Sequence, residues 1–108
     1  MKKKYEVRLA ERAGKMLLSH TEFITRISTS AARKLLSEFA KAEHKLAENP
    51  YVYPYADELD VPGIPGETYR KCFFYGRYKV IFLVDDSCVF IDAVIDCRQE
   101  NKNLFILM

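Results

Sequence analysis

Apolar and polar residues change rhythm several times along this chain, and each change predicts an element. Tyr5, Val7 and Leu9 alternate with Glu6 and Arg8, the period-two pattern of a short strand with one buried face. From about Ala10 to Ile27 the period lengthens, and Met16, Leu17, His20, Phe23, Ile24 and Ile27 recur at helical spacing. Ser28-Thr29-Ser30 interrupts that helix and offers side-chain oxygens to cap a second one. The second helix runs from Ala31 to about Glu48. It places Ala32, Leu35, Leu36, Phe39, Ala42 and Leu46 on one face and Lys34, Glu38, Lys41, Lys45 and Glu48 largely on the other. Asn49-Pro50 ends it, because proline cannot continue the helical ladder.

Residues 51–68, YVYPYADELDVPGIPGET, form a long proline- and tyrosine-rich connection, and loops of that length in a small domain often carry contacts. Three antiparallel strands follow, and alternation sorts their side chains onto two faces. Tyr69, Lys71, Phe73 and Tyr75 alternate with Arg70, Cys72 and Phe74. Tyr78, Val80, Phe82 and Val84 alternate with Lys79, Ile81 and Leu83. Val89, Ile91, Ala93, Ile95 and Cys97 alternate with Phe90, Asp92, Val94, Asp96 and Arg98. One face is therefore expected to be apolar and the other to carry Arg70, Lys79, Asp92, Asp96 and Arg98. The predicted core is Tyr5, Val7, Phe23, Leu35, Phe39, Phe73, Val80, Phe82, Ile91 and Ile95. The order β-α-α-β-β-β predicts an α+β domain, an N-terminal strand and two helices packed on one face of an antiparallel sheet.

At 108 residues the chain, 1–108, is expected to form a single domain with one modest core. Seventeen Lys and Arg against 15 Asp and Glu give a net charge of +2, too small to argue nucleic-acid binding from the global field. The local distribution says more. Tyr69 to Val84 carries four basic residues and no acid, whereas Asp57-Glu58-Leu59-Asp60 carries three acids. Cys72, Cys88 and Cys97 are odd in number and lack C-x-x-C spacing, which argues against a zinc site or a disulfide framework. No cofactor or metal is expected. Lys2-Lys3-Lys4 runs directly into the first strand without a signal-like apolar stretch, and no apolar run reaches membrane-spanning length. A reducing cytoplasm is the expected compartment, with no membrane association.

The strand region resembles the RelE/ParE superfamily, the toxin halves of type II toxin–antitoxin modules. The resemblance rests on Tyr69-Arg70, then GRYKVIFLV from Gly76, then DDSCVFIDAVIDCRQ from Asp85, with the first strand and both helices also fitting. It implies the fold just described, a cognate antitoxin as partner, and one of two activities. A RelE-like member cleaves mRNA on the ribosome by attack of a 2′-hydroxyl on its neighbouring phosphate. A ParE-like member inhibits DNA gyrase without chemistry of its own. A third reading is a binding module that has lost toxicity.

The resemblance also proposes roles for residues. Arg98, Arg70 and Lys79 match basic positions that contact the scissile phosphate and its transition state, for which a bidentate guanidinium is suited. The plainer reading is a solubilising sheet face and a surface ion pair at Arg98. Phe105 is a candidate for stacking on a base. The chain departs from the ribonuclease pattern at Cys72, where a lysine is usual, and at Leu104 and Phe105, where a tyrosine or histidine is usual; neither can exchange a proton. Asp92 and Asp96 read as partners of Arg98 and Arg70, since a carboxylate beside arginines is a weak base at neutral pH. His20 and His44 read as packed or surface histidines, the three cysteines as inert thiols, and Tyr51, Tyr53 and Tyr55 as either a docking surface or a cover for the core edge.

Overall fold

The computed structural model describes residues 4–56 and 67–98. Its elements are β1 (Glu6–Leu9), α1 (Glu11–Thr25), α2 (Thr29–Glu48), β2 (Arg70–Phe74), β3 (Tyr78–Asp85) and β4 (Cys88–Asp96). A short 3-10 turn, Pro50–Val52, follows α2. Ser28 is the cap that the sequence suggested: its hydroxyl accepts from Ala31 N at 3.1 Å, a contact worth about 1 kcal/mol.

The strands lie in the order β1-β4-β3-β2. β3 pairs antiparallel with both neighbours, but β1 runs parallel to β4, so the sheet is mixed and the expected fully antiparallel pairing is corrected at this edge. The helical hairpin supplies the crossover that a parallel pairing needs. Both helices cover one face. Ala13, Leu17 and Ile24 from α1 and Leu35, Phe39, Ala42 and Leu46 from α2 meet Cys72, Phe74, Tyr78, Val80, Phe82, Val89, Ile91 and Val94 from the sheet.

Two pairings decide which side chains face the helices. Cys72 lies opposite Val80 and Phe74 opposite Tyr78, so Phe74 is buried and Phe73, 61% exposed, faces away. The expected core position of Phe73 is thereby corrected. In β4, Phe82 pairs with Ile91 but Ile81 pairs with Ala93, leaving Asp92 as an extra residue. Such a bulge shifts the alternation by one. Val89 and Ile91 face the helices before it, and Val94 and Asp96 do so after it. Ala93 and Ile95 consequently turn to the other face, where they form a second small cluster with Ile81 and Ala56. Leu35, Phe39, Val80, Phe82 and Ile91 occupy the main core as expected, and Tyr5 and Val7 pack against it half-buried. Phe23 is 50% exposed, because the buried stripe of α1 is centred on Ala13, Leu17 and Ile24 and leaves Phe23 on the flank.

β1 ends opposite Ile91, and α1 takes over the exposed edge of β4 beyond that point. Ala10 N donates to Ile91 O at 2.9 Å, Arg12 Nε to Asp92 O at 3.3 Å, and His20 Nε2 lies 2.8 Å from Val94 O. A carbonyl only accepts, so Nε2 of His20 carries a proton. These three contacts satisfy backbone groups that would otherwise be left at an unpaired strand edge.

Candidate functional site

The structure does not bring Arg70, Lys79 and Arg98 together. Arg70 lies opposite Phe82 and so shares the helix-side face with Val80 and Tyr78, whereas Lys79 lies opposite Phe73 and Ile95 on the other face. Arg98 is exposed two residues beyond β4, whose last residue, Asp96, pairs with Tyr78. From Tyr78 to Phe82 is four steps along β3, about 13 Å at about 3.3 Å per residue, so Arg70 and Arg98 stand near opposite ends of the sheet. The expected common face for Arg70 and Lys79 is corrected by the register. Phe105 and Leu104 lie outside the described residues, as do the acids at 57–60.

Arg70 is held by its own loop. One guanidinium nitrogen donates to Tyr53 O at 2.7 Å and another to Tyr55 Oη at 3.1 Å. The guanidinium carbon sits 4.2 Å from the centre of the Tyr55 ring and 5.2 Å from that of Tyr51. This combination of a planar fork and an aromatic stack is one that lysine cannot reproduce. Tyr51 in turn packs edge-on against Tyr5, and Tyr53 against Phe82. The tyrosine-rich segment is thus clasped to the sheet through Arg70. Replacing Arg70 with alanine is expected to lower stability by about 1–2 kcal/mol in urea unfolding, with Arg70→Lys recovering less than half of that loss.

The two strand carboxylates also have partners other than those expected. Asp92, at the bulge, receives Arg12 of α1 at 3.0 Å, both side chains being about a quarter exposed. Asp96 is 3% exposed; one oxygen accepts from Arg77 at 2.6 Å and the other from the backbone N–H of Arg98 at 3.0 Å. Burial alone would raise the Asp96 pKa. The Arg77 hydrogen bond, the Arg98 N–H and the charges of both arginines outweigh it and hold the carboxyl below its ordinary range. Arg77 also lies over the Tyr78 ring at 5.0 Å. The sequence reading passed over Arg77 as a turn residue. The available signal was its place directly after Tyr75-Gly76, both of positive φ, in a hairpin turn that ends beside Asp96.

Groups suited to proton transfer are likewise committed. His20 donates to a strand carbonyl and packs against Tyr78 at 5.3 Å. The Cys72 thiol is pushed up by burial, against smaller opposing effects of Tyr53 and Lys45, as expected of an inert buried cysteine. Among the described residues no group of three His, Cys, Asp or Glu is placed to hold a metal ion, and no helix is long and apolar enough to cross a membrane.

A small sheet backed by a helical hairpin, with its charged groups paired internally, is the build of a binding domain. The sequence matches the family model described as the ParE toxin of the type II toxin–antitoxin system parDE over residues 7–101. This chain therefore belongs to the ParE toxin family of type II toxin–antitoxin systems. A solved structure described as a chromosomal ParDE toxin–antitoxin system from P. aeruginosa is similar in fold, with a TM-score of 0.66 at 14% identity over 86% of this chain and 96% of that one. No curated protein matches the sequence.

Proposed function

We propose that this toxin arrests growth by binding its target rather than by cutting RNA, that the target is DNA gyrase, and that a cognate antitoxin neutralises it. The observation that carries this reading is the separation of the three cationic residues that a ribonuclease site would need to converge on one phosphate. Arg70 is spent on the tyrosine loop, Lys79 faces the other side of the sheet, and Arg98 is at the far end. Phosphoryl-transfer catalysis depends on such groups being held together around the reacting atoms. A general base or acid within reach is also needed, and Asp96 and His20 are each committed to a structural contact.

The test places purified toxin in two assays side by side. Supercoiling by gyrase is expected to fall at toxin concentrations that leave mRNA on translating ribosomes intact. Ribosome-dependent cleavage with supercoiling untouched would return the ribonuclease reading that the RelE/ParE resemblance also implies. Arg98→Ala and Lys79→Ala would then be the first variants to measure for lost cleavage. Inducible expression is expected to slow growth, with recovery when the adjacent gene is co-expressed.

A further inference from the structure

β2 is an edge strand whose outer backbone is only half covered. The chain lays its own residues 54–56 along the first half. Lys71 N donates to Pro54 O at 3.0 Å, Ala56 N donates to Tyr69 O at 2.7 Å, and Tyr55 bridges Arg70 in antiparallel sense. In an antiparallel strand the N–H and C=O of one residue point to the same side, and that side alternates along the strand. Lys71 points outward, so Phe73 points its N–H and C=O outward as well. The covering segment does not reach Phe73, because at Tyr53 it joins the 3-10 turn Pro50–Val52. The Phe73 carbonyl meets only the weak Cys72 thiol donor at 3.8 Å.

A groove of about 320 Å³ runs beside this open stretch, between α2 and β2. Ala42, Cys72 and Phe74 give it apolar lining, and α2 adds Glu38, Lys41 and Lys45. Lys41 engages Glu38 at 2.9 Å, while Lys45, one turn on, is exposed. Lys71 lies 5.9 Å over the Phe73 ring. Three ammonium groups around one carboxylate leave this corner of the surface positive. An outward-pointing peptide group is complemented by another backbone, and an apolar groove by an apolar side chain; a phosphate chain supplies neither. The positive rim adds a requirement for acid.

We propose that the antitoxin docks here through a short extended segment. Its main chain bridges Phe73, an apolar side chain fills the groove against Phe74 and Cys72, and an acidic side chain two residues away meets Lys45 and Lys41. The inference rests on the toxin–antitoxin reading above and assigns a place and a chemistry to the partner.

The complex with the adjacent gene's product tests it. Hydrogen exchange at the Phe73 amide is expected to slow at least tenfold on complex formation. The double variant Lys41→Glu/Lys45→Glu alters only exposed side chains and is expected to weaken binding at least tenfold, more at low than at high salt. Phe73→Pro removes the outward N–H at an edge position where proline is tolerated, and is expected to weaken binding to a similar degree while thermal unfolding stays close to that of the unmutated protein. A stable complex in which the Phe73 amide exchanges as in the free toxin, and to which both variants bind normally, would overturn the docking proposal and leave the toxin reading standing. Recovery of no complex at all would overturn the partner reading together with it.

Discussion

Phe82→Ala is expected to cost about 3–5 kcal/mol in urea unfolding, and Phe73→Ala about 0.5 kcal/mol or less. The two residues are chemically identical and lie on neighbouring strands, so the contrast isolates the face each one occupies. Phe82 is fully buried between α2, the Tyr53 ring and the central strands, whereas Phe73 is 61% exposed on the helix-free side. A domain of this size has a total stability of roughly 5–15 kcal/mol, so the first change takes a large share of it. It leaves a cavity that well-packed neighbours cannot close. Equal losses for the two variants would mean that the register of β2 against β3 is other than Phe74 opposite Tyr78. Phe74→Ala serves as the companion measurement, because this residue stacks between Phe39 and Tyr78 and its loss should follow Phe82 rather than Phe73.

The element order was legible in the sequence because each element has a strong period of its own. α2 is the clearest case: its apolar stripe and its Ser28 cap were both readable, and the helix runs from Thr29 to Glu48. The face assignment in β4 was readable only as far as Ile91. Nothing in VFIDAVID marks Asp92 as an inserted residue, since strict alternation and a bulge both place apolar residues around it. The bulge is fixed by tertiary partners, Arg12 on the Asp92 carboxylate and the edge contacts of α1, which a period-two reading does not contain. The same limit applied to the site. Arg70, Lys79 and Arg98 were visible as basic residues on strands. Whether they converge depends on a one-residue register, and whether they are available depends on Tyr53, Tyr55 and Asp96. The parallel pairing of β1 was likewise invisible, because alternation along a strand carries no information about the direction of its neighbour.

Asp96→Asn is expected to cost about 3 kcal/mol at neutral pH. Removing one member of a buried ion pair typically costs about 3–5 kcal/mol, and the lower end applies because the Arg77 side chain keeps 23% of its exposure. The amide is nearly the same size as the carboxylate, so the loss reports charge and hydrogen bonding rather than packing. Arg77 would remain beside Tyr78 without its counter-ion, and the Arg98 N–H would lose a charged acceptor. The pH dependence provides a second, independent reading. The folded Asp96 carboxyl is held below its ordinary value of 3.8, so its contribution is fully present above that value and is lost as pH falls through the depressed folded value. The unmutated protein should therefore lose stability on acidification more steeply than Asp96→Asn, and the two curves should converge at the acid end. Parallel curves would show that Asp96 acts through shape alone. Since Asp96 also fixes the backbone of Arg98, the same variant should leave the exposed Arg98 side chain less well placed, and any target contact made there should weaken along with stability.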